Sequence, residues 1–144
     1  MNSFLLSTDV TRGKTMNVKA RFSSMNNTES RTFYVLFDTG AAITSICKSL
    51  LESKGYTEYL KGNTPRQTAN GIVYFEQVVV HKFQIDGFQA FDTWHVDVIP
   101  HEFKGFKGIL GMDFIGTVET WISAVDKKMY IHGSKDKIKE LINR

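Results

Sequence analysis

Ten residues, Phe33-Tyr34-Val35-Leu36-Phe37-Asp38-Thr39-Gly40-Ala41-Ala42, constrain this chain more than any other stretch. An unbroken apolar run ends on one carboxylate, and a Thr-Gly turn follows at once. Runs rich in Phe, Tyr and Val read as a strand buried on both faces. A charged side chain at the mouth of such a strand is costly unless hydrogen bonds hold it. Gly40 lets the chain turn sharply and bring its N–H groups toward the Asp38 carboxylate. Thr39 adds a hydroxyl that can lock the turn. The plainer reading is a strand ending in a surface turn, where Asp and Gly are common.

With 144 residues the chain is expected to form one domain, long enough to bury a core without staples. Eleven Phe against two Pro argue against disorder. The single cysteine, Cys47, rules out an intrachain disulfide, fits a reducing compartment, and reads as a buried apolar residue. Phe4-Leu5-Leu6 is too short for a signal-peptide core, and no run reaches membrane-spanning length. The expectation is a soluble, cytoplasmic protein with no membrane partner. The net charge of +3 sits in the last stretch, where Asp126 to Arg144 holds six Lys/Arg and three Asp/Glu. That tail reads as the solvated face of a helix. A nucleic-acid module using Lys135, Lys137 and Lys139 is the weaker reading, because aromatic interleaving and zinc spacing are missing. The four histidines, His81, His95, His101 and His132, show no metal-ligand spacing, so no metal is expected. Ser45 and Ser49 lack a nucleophile-elbow context.

Taken in order, residues 1–13 read as a flexible leader and 14–144 as the single domain. Met16 to Phe22 alternates as a half-buried strand, and Arg31 to Phe37 returns as its hairpin partner after the turn cluster Asn26 to Ser30. Ile43, Ile46, Leu50 and Leu51 recur at helical spacing, which predicts a helix over about 47–54, N-capped by Ser45 and stopped by Gly55. Asn70-Gly71 between extended segments predicts a type I′ hairpin. Val78, Val80 and Phe83 continue the strands to Asp86-Gly87. Phe88 to Phe91 and Trp94 to Ile99 predict two further strands, closed by Pro100. In Ile109-Leu110-Gly111-Met112-Asp113-Phe114-Ile115, two apolar residues precede a glycine that permits close backbone packing, and Met112 to Ile115 predicts one helical turn. Thr117 to Ile122 and Met129 to His132 predict a last hairpin around Asp126-Lys127-Lys128, and Ser134 caps a predicted helix to Arg144. Many short strands with frequent turns indicate an all-β closed barrel with one short internal helix and a C-terminal helix.

In this order the parts resemble the retropepsin-like aspartic proteases, best the single-domain bacterial and retroelement type. The matching residues are Asp38-Thr39-Gly40-Ala41, then Thr44 and Ile46, a helix, the Asn70-Gly71 hairpin, and Ile109-Leu110-Gly111. The likeness spans roughly Val18 to Ile131. It implies an aspartic endopeptidase with Asp38 as its catalytic residue, supported by Thr39, Gly40 and Ala41. It implies a flap over Ala69, Asn70, Gly71, Ile72 and Val73, with Ile109, Leu110 and Gly111 as cleft wall and loop support. Ile72, Val73 and Phe75 are candidate pocket walls, with core packing the alternative for each. Ala42 departs from the Ser or Asp often found there, and the flap tip has fewer glycines than viral flaps.

Hydrolysis by carboxylates needs two of them around one water, and the chain offers one such loop. Phe91-Asp92-Thr93 echoes Phe37-Asp38-Thr39, but Trp94 stands where the glycine is required, so Asp92 reads as a surface or turn residue. Asp113 reads as structural. The resemblance therefore implies a homodimer, with Asp38 of a second copy as partner, an extended polypeptide as substrate, and no cofactor. The rival reading is a non-catalytic retropepsin-like barrel that binds peptides or assembles a complex.

Overall fold

The structure is a computed structural model that describes residues 2–7, 16–28, 30–62, 65–86, 88, 90–123 and 128–133. In chain order its elements are β1 (Asn2–Ser7), β2 (Asn17–Ser23), β3 (Phe33–Phe37), β4 (Ser45–Cys47), α1 (Lys48–Ser53), β5 (Arg66–Thr68), β6 (Gly71–Val73), β7 (Gln77–Ile85), β8 (Phe91–Ile99), β9 (Gly108–Leu110), α2 (Met112–Ile115), β10 (Glu119–Ser123) and β11 (Lys128–Gly133).

Six strands close into a barrel in the order β2-β3-β9-β4-β8-β7, with β7 returning to β2. The expected all-β closed barrel is therefore what the chain forms. The β2–β3 hairpin pairs Val18 with Val35, and both side chains are fully buried. β9 lies parallel to β3, with Leu36 opposite Ile109 and Phe37 opposite Leu110. That register sets the Ile-Leu-Gly segment beside the strand that delivers Asp38.

The core is aromatic at the end formed by β7, β8 and α2. Trp94 lies 4.7 Å from Phe91 and 5.9 Å from Phe83 between ring centroids, and Phe114 meets Phe88, Phe91 and Trp94 edge-on. In β7 the buried set moves from Val78 and Val80 to Phe83 and Ile85. The change of phase falls at Lys82, whose φ of +53° marks the irregularity where the β2–β7 register shifts.

Several expectations are corrected. Asn2–Ser7, inside the stretch expected as a leader, forms β1 and pairs antiparallel with β11, which also takes β10. Apolar Phe4 to Leu6 supply the strand-forming residues there. Residues 8–13 lie outside the described residues, as do 134–144, including the expected C-terminal helix and Lys135, Lys137 and Lys139. Ser45 is not an N-cap, because Ser45–Cys47 is spent as a buried strand between β8 and β9. The helix accordingly begins at Lys48, with Cys47 in the capping position and making no side-chain cap bond. Gly55 does stop it, at φ +88°. The two strands expected over 88–99 are one, since β7 pairs along β8 from Phe91 to Asp97 and leaves no break at Asp92-Thr93. Phe88 is a buried loop residue. The 70–71 hairpin is not type I′. Thr68 pairs with Gly71 across Ala69-Asn70, and Gly71 takes positive φ while Asn70 does not.

Candidate active site

Asp38 is the first residue after β3, and its own N–H donates to the Leu110 carbonyl at 3.1 Å. One carboxylate oxygen, Oδ1, accepts the Gly40 N–H at 2.9 Å, and the Ala41 N–H closes back on the Asp38 carbonyl at 3.2 Å. The turn expected from Asp-Thr-Gly is thus formed, and the glycine does bring its amide to the carboxylate. A Cβ on Gly40 would stand 3.1 Å from that same oxygen, so the loop fits closely around its acid. Asp38 is half-buried, whereas Thr39 and Gly40 are exposed.

The loop is braced from below by the β9–α2 segment. The Met112 N–H donates to the Ala41 carbonyl at 2.7 Å and the Asp113 N–H to the Ala42 carbonyl at 3.1 Å. Gly111 is required by space. An added Cβ would meet the Ile43 carbonyl carbon at 2.6 Å and the Thr44 nitrogen at 2.9 Å, backbone atoms that cannot swing aside. Leu110 is fully buried under the loop, and Ile109 is half-buried beside Leu36.

Asp113 has the structural role expected of it. Its Oδ1 accepts the Thr44 N–H (3.0 Å), the Thr44 hydroxyl (2.8 Å) and the Phe114 N–H (3.0 Å). Its Oδ2 accepts the Trp94 indole N–H at 3.2 Å. The Thr44 hydroxyl in turn accepts the Gly111 N–H at 3.2 Å. Burial pushes the Asp113 carboxyl above its usual range, and the bonds from Thr44, Phe114 and Trp94 offset only part of that push. One half-buried carboxylate therefore ties the far arm of the Asp38 loop to β8 and α2.

The remaining sequence candidates fall in two places. Asp92 is exposed on β8, and Asp86 is exposed in the turn just after β7, at φ +42°. The expected flap residues form the separate β5–β6 hairpin. Along it Gly71, Val73 and Phe75 are half-buried, while Ile72 and Tyr74 are 63% exposed on the alternate face. Of the expected pocket walls, Val73 and Phe75 thus share the more covered side and Ile72 does not. Sequence reasoning missed a carboxylate that is fully buried. Asp97 on β8 accepts Arg66 Nε at 2.8 Å and Arg66 Nη2 at 3.3 Å, and also Gln77 Nε2 at 3.1 Å. The available signal was a charge inside the apolar run Val96-Asp97-Val98-Ile99, which in a buried strand demands a partner. Among the described residues no group of three His, Cys, Asp or Glu side chains is arranged to hold a metal, and no helix is long and apolar enough to cross a membrane.

A closed six-stranded barrel with one Asp-Thr-Gly loop braced by an Ile-Leu-Gly segment defines a retropepsin-like fold. The family described as "gag-polyprotein putative aspartyl protease" matches residues 24–117, and the chain belongs to it. Among solved structures it is similar to a retropepsin-like aspartic protease from Rickettsia conorii, with 14% identity and a TM-score of 0.62. That likeness covers 92% of this chain and 91% of the other. No curated protein sequence matches the chain.

Proposed function

We propose that this chain is an aspartic endopeptidase that acts as a homodimer on extended polypeptides. The observation that carries the reading is the Asp38 loop. It presents a half-buried carboxylate held by the Gly40 amide, and it has no second such loop in the described residues with which to pair. A twofold axis places identical loops face to face, so the missing acid is Asp38 of the partner copy. Thr39 would brace the two loops against each other, and Ile109, Leu110 and Gly111 would support them and wall the cleft.

Two carboxylates about 3 Å apart repel by about 5 kcal/mol at an effective dielectric near 20. Such repulsion leaves one proton shared between the two, as in the paired carboxylates of aspartic proteases. The ionised member takes a proton from water as its oxygen attacks the scissile carbonyl carbon, and the protonated member donates to the carbonyl oxygen. Collapse of the tetrahedral species breaks the C–N bond; the departing nitrogen takes a proton from one carboxyl while a hydroxyl of the tetrahedral species returns its proton to the other, which restores the singly protonated pair. The Ala69 to Val73 hairpin would close over the substrate, with Val73 and Phe75 toward it and backbone pairing to the hairpin strands supplying affinity.

Hydrolysis of unfolded casein by wild type and by Asp38→Asn, at acid and neutral pH, tests this. Wild type is expected to cleave, and the variant to lose roughly 10²–10⁴-fold while remaining folded. Two inert proteins with intact dimers would instead mark a peptide-binding module.

A further inference from the structure

Resting on that reading, we propose that Arg66 and Asp97 form the catch that holds the flap hairpin in position over the Asp38 loop, which makes both positioning residues. β5 and β6 are three residues each and form a two-stranded sheet of their own. A lone hairpin of this size is marginal in water, so its position depends on how its two ends are tied. Backbone bonds tie both the entering and the leaving segments at their bases. Gln77 exchanges two bonds of 2.8 Å with Leu60, and the Val98 N–H donates to the Glu76 carbonyl at 2.8 Å.

Nearer the hairpin, at the start of β5, the entering segment gains a side-chain tie. Arg66, the first residue of β5, forks onto Asp97 of the barrel through Nε and Nη2. Both side chains are largely buried, with 18% of Arg66 and 5% of Asp97 exposed. Gln77 adds a third donor to Asp97, so the entering and leaving ends meet on one carboxylate. A buried ion pair is seldom the most stabilising choice, since apolar replacements are often as good. What the fork adds is direction, because two N–H bonds from a planar guanidinium fix an angle that apolar contact would leave free. The Asp97 N–H also donates to the Thr44 carbonyl at 3.0 Å. Thr44 is the residue that Asp113 clamps beneath the Asp38 loop. Flap base and candidate catalytic loop are thus referenced to the same point of the barrel.

Amide hydrogen exchange on the full-length, substrate-free chain tests the catch without relying on activity, so an inactive wild type would leave the result readable. In Arg66→Gln, exchange over residues 66–73 should accelerate about tenfold or more relative to wild type, while β7 and β8 keep their wild-type rates. Arg66→Lys, which keeps the charge and loses the fork, should fall between. The double variant Arg66→Met/Asp97→Leu leaves no buried charge unpaired. It should melt near wild type and still show the fast flap, which a merely stabilising pair would not do. It also serves as the readout if Arg66→Gln fails to fold. Unchanged flap exchange in Arg66→Gln, equal acceleration of flap and barrel, or a double variant that recovers flap protection with its stability would each overturn the proposal.

Discussion

Replacing Asp113 by Ala removes four acceptor interactions from beneath the Asp38 loop. Two of the donors can recover. The Phe114 N–H already lies 3.1 Å from the Gly111 carbonyl, and the Thr44 hydroxyl can rotate. Two cannot, namely the Thr44 N–H in a fully buried residue and the Trp94 indole N–H in one that is 5% exposed. Each orphaned buried donor costs about 1–3 kcal/mol, for about 2–6 kcal/mol together. Relief of the carboxylate's own burial offsets part of this, so the expected loss is about 2–5 kcal/mol. That is a large share of the roughly 5–15 kcal/mol that holds a domain together. Asp113→Asn keeps Oδ1 and turns its amide toward Trp94, so it loses one donor's partner, about 1–3 kcal/mol. The pH dependence has a definite sign. A carboxyl whose folded pKa is raised favours the folded state most when protonated. Wild type should therefore gain on Asp113→Asn as pH falls from neutral through the raised value, with the gain complete below the usual carboxylate range. Urea unfolding followed by tryptophan fluorescence measures all of these. A loss below about 1 kcal/mol for Asp113→Ala, or a wild-type advantage that shrinks as pH falls, would refute the clamp.

Gly111→Ala should cost about 1–3 kcal/mol by overpacking, and the loss should appear with reduced hydrolysis, because the displaced atoms belong to Ile43 and Thr44 in the loop itself. Urea titration and casein cleavage read the two effects, and a fully stable, fully active variant would contradict the contact. Burial, with Glu102 nearby, pushes the Cys47 thiol up, and the residue is fully buried. A thiol-reactive disulfide reagent at neutral pH should therefore label it only as fast as the chain opens. Rapid labelling of the native protein would contradict that placement.

The barrel was legible because stretches such as β3 alternate covered and open residues and its turns are punctuated by Gly, Asn and Asp. The Asp38 loop was legible because Thr and Gly follow the acid directly. The misreadings share a cause. Ile43, Ile46, Leu50 and Leu51 carry a helical spacing, yet the place of Ser45–Cys47 between β8 and β9 is decided by partners about fifty and sixty residues away in the chain. Asp92-Thr93 looks like a break, yet β7 keeps one register across it, with Thr93 opposite His81 and Phe91 opposite Phe83. The Arg66–Asp97 pair joins residues from different sheets, so local sequence announces a buried charge but not its partner. Gly111, by contrast, declared its role early, because an apolar-apolar-Gly segment predicts a backbone approach that only glycine fits.

The most direct measurement follows peptide hydrolysis and sedimentation equilibrium across the same dilution series. If two copies each lend one Asp38 to a shared water, activity per mole of chain tracks the dimer fraction and vanishes with it. Undiminished activity per mole from a chain that sediments as a monomer would contradict the account.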